Sequence, residues 1–477
     1  MSTTLENKPA QSSTKVWTAG TLTYSMGGIA ALFFWLLVGD FAWSMREKSV
    51  GPMAQWYLHH LMVPNFILGL LVSSLPAVIQ LFVGPFISVK SDRTRSKWGR
   101  RIPFLFITTP MAALGMVGLG LTPLVAKWLH QTFNDSSVAG AGIGSFLANE
   151  MIISVICFGI CWTLFEVAVI AGKPVFDGLI NDVVPQALLG RFYGLFRAVM
   201  LIDGMVFNFW VMGYVPTHFT LIMVSVGVFY GVAFFWVCLK VKEGQYPALP
   251  PVPEKAGVAG NLLGAAGTYC RECFSHPYYL SVFVMMMAAA VCFGPINTFA
   301  IPFAGHVGVD MKTYGQAVAF TYLISLSLAY FLGWMADRFH PLRLCIGVLI
   351  GYVAVTAWGS FYARNATTFL IAWILHGLLS GCYFTCAASL GQRLFPREKF
   401  AQYASAAALF SAGANIFLAP TMGSIIDLSG NTYRYTFAGS CLLAIIALVA
   451  ACLVYGRFRK LGGPAHYIAP DYREGRG

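Results

Sequence analysis

The sequence predicts an all-α polytopic membrane protein: twelve transmembrane helices in two six-helix bundles related by pseudo-two-fold symmetry. Three observations lead there. Hydrophobic residues make up 57% of the 477-residue chain and charged residues 10%, with a mean hydropathy of +0.68, whereas soluble domains run near about 25% charged. The apolar residues fall into runs of roughly 20, the length that crosses the hydrocarbon of a bilayer. The two halves of the chain also repeat each other's loop sequences.

The chain opens with a polar tail, residues 1–17, that has neither an apolar core nor a small-residue cleavage site. The first span is therefore expected to act as its own uncleaved insertion signal. Spans are expected near 18–42, 61–88, 102–126, 146–173, 190–214 and 218–241, which form the first bundle (18–241). A Pro-rich polar stretch, KEGQYPALPPVPEKAG, lies within 242–277 and reads as a linker between the halves. The second bundle, 278–457, holds spans near 278–303, 314–336, 342–362, 367–394, 400–427 and 434–457, and residues 458–477 form a tail.

Lys and Arg set the orientation. On this span list the loops on one side hold Arg46, Lys48, Lys127, Lys312, Arg364 and Arg434. The other side holds the cluster Lys90–Arg101 together with Arg191, Lys240, Lys242, Lys255, Arg271, Arg338, Arg343, Arg393, Arg397, Lys399, Arg457, Arg459 and Lys460. The positive-inside rule places the second side, and with it both termini, in the cytoplasm of a cell membrane. The same rule accounts for the net charge of +12 without nucleic acid as a partner. Most of the eleven cysteines sit in apolar runs as small hydrophobes. Cys270, Cys273 and His276 make a C-x₂-C-x₂-H string with no fourth ligand near it in sequence, so no metal is expected. No cofactor is implied, and the absence of a G-x₄-G-K-[ST] loop argues against direct ATP drive. No H-E-x-x-H or G-x-S-x-G appears, so an enzyme is not expected. Asn134 and Asn365 open N-x-[ST] sequons on expected outside loops.

The repeats are local and specific. SVKSDR (88–93) follows the second span with Arg100 and Arg101 downstream, and GWMADR (333–338) follows the eighth with Arg343 downstream. PQALLGRFYG, starting at Pro185, and PREKFAQYAS, starting at Pro396, enter the fifth and eleventh spans. Parallel six-helix repeats place a pathway at their interface that opens alternately to each side.

These residues resemble a known group. A D-R pair with basic residues downstream, in loop 2–3 and again in loop 8–9, resembles the signature of the major facilitator superfamily. The longer string PFISVKSDRTRSKWGRRIPF (85–104) is similar to the loop of the glycoside–pentoside–hexuronide:cation symporters and the related sucrose:proton symporters. Pro85, Asp92, Arg93, Trp98, Gly99, Arg100, Arg101, Pro103 and Phe104 carry the match, and PVFDGLINDVVPQALLGRFYG from Pro174 resembles the branch's fourth-to-fifth span junction. Ser88 stands where the family has Gly, and Asp177 stands where the sucrose symporters have Arg. The resemblance implies the superfamily fold and symport of a sugar or glycoside with H⁺ or Na⁺ by a monomer. An exporter or a carrier of another metabolite is the alternative. It also implies a conformational latch: Asp92, with Arg93, Arg100 and Arg101, meets the start of span eleven near Phe400. The repeat places Asp337, with Arg338 and Arg343, near Gly190.

Ionisable groups inside spans are costly and mark pathways. Glu166 and Lys173 share a face of span four, and Asp177 follows Lys173 at i+4. Asp203 and Arg197 lie in span five, His376 in span ten, and Asp40 is expected near the outer end of span one. Glu166 and Asp203 suit a coupling role; pairs Glu166–Lys173 or Asp203–Arg197 are the structural alternative. Sugars offer hydroxyls and C–H faces to amides and aromatic rings. Asn65, Trp162 and Asn297, then Tyr24, Trp35 and Trp373, are the candidate solute contacts.

Overall fold

The computed structural model describes residues 16–135, 149–246, 269–396 and 399–470. Its first element is not a span. Trp17–Ala19 (β1) and Leu22–Tyr24 (β2) pair antiparallel with Trp17 opposite Tyr24. Gly20, at φ +57°, supplies the left-handed turn between them. Ser25 then caps the first helix by accepting the Gly28 N–H at 3.2 Å.

That helix, α1, runs Met26–His60. It corrects the expected first span, which stopped at residue 42. The triplet Arg46-Glu47-Lys48 lowers the local hydropathy and resembles a loop, yet apolar residues resume after it and the helix continues. Arg46 and Lys48 are therefore inside a span, and Asp40 lies near the middle of α1.

The remaining spans follow in order: α2 Asn65–Arg93, α3 Ile102–Asp135, α4 Glu150–Val183, α5 Gln186–Val206 and α6 Val215–Lys240. In the second half come α7 Pro277–His306, α8 Met311–Phe339, α9 Pro341–Tyr362, α10 Ala366–Ala387, α11 Phe400–Leu428 and α12 Tyr435–Lys460. Among the described residues, eleven segments are long and apolar enough to cross a membrane. One of them, Gln186–Lys240, has 55 residues and makes two crossings. The chain turns there through Met212–Tyr214, Pro216 and the non-helical His218, which separates α5 from α6 and gives twelve spans. A π-helical turn interrupts α2 at Leu70–Ser74. A break at Cys292–Phe293, before Gly294-Pro295, interrupts α7 because proline cannot donate to the helix ladder.

Side-chain caps start several spans: Asn149 for α4, Asp310 for α8 and Asn365 for α10. Asn365, the first residue of one sequon, is thus engaged with Thr368. The other sequon reaches Ser136, outside the described residues.

The even number of spans brings both chain ends to one side, here called terminal; the opposite side is distal. One hydrophobic core fills the first half and continues, at the distal end, into the second through Ile296, Phe299, Phe303, Phe369 and Phe437. A separate core occupies the rest of the second half, around Tyr279, Phe283, Tyr352 and Tyr403. The halves meet along α2–α11, α5–α8 and α1–α7.

Glycines show how that seam is shaped. At the distal end they are tight: a Cβ on Gly69 of α2 would lie 2.6 Å from the Ala419 carbonyl oxygen of α11. Gly423 of α11 meets the Asn65 backbone in the same way, and Gly315 of α8 meets the carbonyl of Asn208, in the turn that follows α5. Toward the terminal end, Gly190 and Gly194 of α5, Gly333 of α8 and Gly413 of α11 have nothing within 4 Å. The bundles close on each other distally and diverge toward the terminal side.

Candidate functional site: a charged layer under a sealed distal end

Hydrogen bonds reinforce the distal closure. Asp427, at the end of α11, points its carboxylate at the first turn of α2. Its Oδ1 accepts the Asn65 backbone and side-chain N–H groups at 3.0 and 2.8 Å, and its Oδ2 accepts the Phe66 N–H at 2.9 Å. A carboxylate is favoured at a helix N-terminus, where unpaired N–H groups and the helix dipole converge. Asn65 also donates to Asn431 Oδ1 at 3.1 Å and accepts from the Tyr433 hydroxyl at 3.1 Å. Gln55 of α1 donates to the Asn297 carbonyl of α7 at 3.3 Å.

Below this seal lies a layer of charge, nearly all of it in the first half. Arg46 is buried, with its guanidinium carbon 4.4 Å from the Trp43 ring centroid and 5.9 Å from that of Phe165. Glu166 of α4 faces it. Glu47 and Lys48 pair at 2.9 Å, and Lys48 Nζ lies 5.6 Å from the ring of Tyr322 across the seam. Lys173 and Asp177 pair at 2.6 Å, because α4 continues through Pro174. Both of their side chains are about half exposed, at 51% and 43%. A charged side chain at this depth and this exposure belongs to a water-filled cleft rather than to lipid.

Asp203 differs from the others. It is fully buried, and neither carboxylate oxygen has a hydrogen-bond partner. The Ser44 hydroxyl lies beside it, near enough to turn toward the carboxylate, with Lys48 and Glu47 near. The next residue, Gly204, sits where a Cβ would be 3.0 Å from the Tyr322 ring. Asp203 therefore lies against the α5–α8 seam, one residue from a side chain of the opposite half.

The expected intrahelical pairs do not form. Arg197 is six residues before Asp203, about 600° around the helix, so the two point in different directions; Arg197 faces Lys48 instead. Glu166 and Lys173 share a face but stand two turns apart, and Lys173 reaches onward to Asp177.

The second half contributes a neutral counterpart. His376, buried in α10, bonds through Nδ1 to the Tyr352 hydroxyl at 2.9 Å and through Nε2 to Asn297 Oδ1 at 3.1 Å. Trp373 stacks on His376 at 5.3 Å and on Tyr314 at 5.5 Å, and its indole N–H has no partner.

Several expected solute contacts are otherwise engaged. Trp162 is buried and donates its indole N–H to the Leu71 carbonyl at 2.8 Å, fastening α4 to α2. Asn65 belongs to the distal seal. Asn297 holds His376. Trp35 stacks on Trp236 at 6.3 Å, and Tyr24 ends the N-terminal hairpin. Trp373 is buried, and its indole N–H is the one left without a hydrogen-bond partner among these described candidates.

The basic loop on the terminal side is folded on its own half. Asp92 pairs with Arg101 and, at 4.0 Å, with Arg100. Arg100 Nε donates to Asp182 of α4 at 2.9 Å. Glu243, just after α6, accepts the backbone N–H groups of Arg100, Arg101 and Ile102 at 2.8–3.0 Å and so caps α3. The Tyr246 hydroxyl lies within reach of both Glu243 and Asp182, and burial beside these carboxylates pushes its pKa upward. Asp92 does not reach α11 in this conformation. In the repeat loop, Arg338 lies over Trp334 and Arg343 donates to the Tyr455 hydroxyl at 2.7 Å; the Asp337 side chain lies outside the described residues. Cys273 is buried against Gln402, and His276 accepts the Tyr278 N–H as a helix cap. No cluster of three metal-ligating side chains occurs among the described residues.

Sequence reasoning missed Arg46, Glu47, Lys48, Ser44, Tyr322, Asp182, Glu243 and Asp427 as site residues. The first three carried a readable signal: a charged triplet with apolar sequence on both sides is a span, not an end. Asp427 carried none, since an acid at a helix end reads as solvated.

Two helical bundles closed at one end over a polar seam make a fold shared with membrane transporters. The sequence profile of the Major Facilitator Superfamily matches residues 278–466. The fold of the whole chain is the superfamily's twelve-helix, two-bundle fold. The inward-open xylose transporter XylE from E. coli is 13% identical, with 90% of this chain and 96% of that one covered and a TM-score of 0.62. A bacterial homologue of the human lysosomal transporter Spinster, in an inward-facing conformation, is 14% identical over 91% and 97% of the two chains, with a TM-score of 0.62. The peptide transporter POT is 13% identical over 92% and 96%, with a TM-score of 0.64. No curated protein sequence matches the chain significantly.

Proposed function

We propose that this protein is a secondary active transporter that carries a small polar solute, a sugar or glycoside, in symport with H⁺ or Na⁺. It works as a monomer in the cell membrane with both termini in the cytoplasm, by rocking its two halves about the charged layer. The loop Pro85–Phe104 supports the symporter branch, and the xylose neighbour is a sugar carrier with the same fold.

The observation that carries coupling is Asp203. Asp203 is fully buried at the seam, with only the Ser44 hydroxyl and the Glu47–Lys48 pair described near its carboxylate; a buried anion is costly, and a bound proton or Na⁺ removes that cost. The residue after Asp203, Gly204, packs against Tyr322 of the other half. Rocking that draws Lys48 and Gly204 away from Tyr322 changes which side reaches the acid, and that change is what coupling requires. Solute would enter from the open terminal side to Lys173, Asp177 and Arg197, with Trp373 donating from the second half. The half-exposed Lys173–Asp177 pair favours one second reading, a carrier of a charged or zwitterionic metabolite.

Proteoliposomes offered labelled sugars, glycosides and amino acids, under a pH gradient or a Na⁺ gradient separately, test both readings. We expect uphill uptake of a glycoside under one gradient. Asp203→Asn should abolish that accumulation while leaving solute exchange intact. Unimpaired accumulation by the variant would overturn the role of Asp203, and gradient-independent movement of every solute would overturn symport.

A further inference from the structure

A groove of about 700 Å³ runs along the lipid-facing surface between α3 and α6, away from the solute seam. It is lined by Leu105, Phe106, Ala113, Gly231, Val232 and Phe235, among others. Its floor is low because Gly231 and Ala113 meet closely: a Cβ on Gly231 would be 3.0 Å from that of Ala113. The lining residues lie within 105–114 of α3 and 228–239 of α6. At 1.5 Å per residue, 105–114 spans roughly 14 Å, about the depth of one leaflet's hydrocarbon.

The mouth is cationic and aromatic. Trp98, 54% exposed, lies 5.2 Å from Phe106, which lies 5.9 Å from Phe235. Lys97 Nζ stands 5.6 Å from the Trp98 ring and Lys240 Nζ 5.8 Å from the Trp236 ring. Neither lysine has an ion pair among the described residues, although both lie near the Arg100–Asp182–Glu243 network. Inside the groove, the Thr109 hydroxyl is buried and has no hydrogen-bond partner.

We propose that this groove binds one anionic phospholipid of the terminal-side leaflet. An acyl chain lies along the apolar floor, the two tryptophans sit at headgroup level, and Lys97 and Lys240 hold the phosphate from either side. Charge complementarity selects the anionic headgroup, since a zwitterionic lipid would bring its own cation to the two lysines. The length of the groove selects a chain of one leaflet. Such a lipid joins loop 2–3 to the end of α6, which Glu243 already ties together, and so steadies the segment that carries Asp92.

The test is native mass spectrometry of the full chain released from nanodiscs of equal phosphatidylglycerol and phosphatidylcholine. We expect one retained phosphatidylglycerol at roughly tenfold the occupancy of phosphatidylcholine. Lys97→Gln with Lys240→Gln, both exposed residues, should abolish the preference. Val232→Trp, which fills the groove from its lipid side, should reduce retention of both lipids. Equal retention of the two lipids by the unmodified protein, or an intact preference in the double lysine variant, would overturn the proposal.

Discussion

The distal and terminal ends of the molecule hold the same kind of device in opposite states. At the distal end an acid that finishes one helix, Asp427, caps the first turn of a helix in the other half, and glycines let the backbones touch. At the terminal end Asp92, which also finishes a helix, is turned back onto Arg101 and Arg100 of its own loop. The start of α11, its expected partner, is tied instead to its own half: Glu272 accepts from Gln402 at 2.9 Å and pairs with Lys399 at 3.0 Å. A carboxylate facing a helix N-terminus closes an end; a carboxylate satisfied within its own half leaves that end open. Alternating access needs the two ends to exchange these states.

The distal seal is easiest to break at its closest contact. Gly423 has no room for a side chain beside the Asn65 backbone, so Gly423→Val must push α11 off α2. We expect this to be the largest effect, a loss of transport of at least tenfold with normal membrane insertion. Spin labels at Met62 and Leu428, exposed residues on opposite halves at the distal end, should report a longer distance than in the parent protein. An unchanged distance would mean that the close approach does not hold the seal.

Asp427→Asn probes the charge rather than the contact. Asparagine keeps one acceptor oxygen but loses the charge that suits a helix N-terminus, a change worth about 1–2 kcal/mol. The same label pair should show the distal-open population rising by roughly 5–30-fold. A population that does not move would show that Asn431, Tyr433 and the glycines suffice to close this end.

These two predictions concern a gate that the sequence did not reveal, whereas the spans and the terminal loop were readable. Spans announce themselves through composition, because lipid demands about 20 apolar residues wherever they occur. The Lys173–Asp177 pair was readable because i,i+4 geometry is local. The Asp203–Arg197 alternative failed on the same geometry, six residues being the wrong fraction of a turn. The bond from Asp427 to the start of α2 joins residues more than 360 apart, and nothing local in either segment points to the other. The end of α1 was misread for a physical reason as well. A charged triplet reads as a loop by local hydropathy, but here Arg46 is buried over Trp43 and Lys48 pairs with Glu47, and the apolar sequence resuming after them carries the helix on.

The smallest expected effect is at Asp92, and the comparison explains why. An Asp92→Asn change removes the acid from both states of the cycle. In the conformation described, it costs an ion pair to Arg101 on a side chain that is 55% exposed, a contact worth about 0–1 kcal/mol. In the opposite conformation it would cost the cap on α11, worth about 1–2 kcal/mol by analogy with the distal end. Only the difference alters the balance between states, so turnover in proteoliposomes should slow by about 2–5-fold rather than stop. The distance between labels at Met62 and Leu428 should shift slightly toward the distal-closed value. Normal turnover at normal expression would show that the terminal end closes without this carboxylate. The two ends would then be alike in position but not in chemistry.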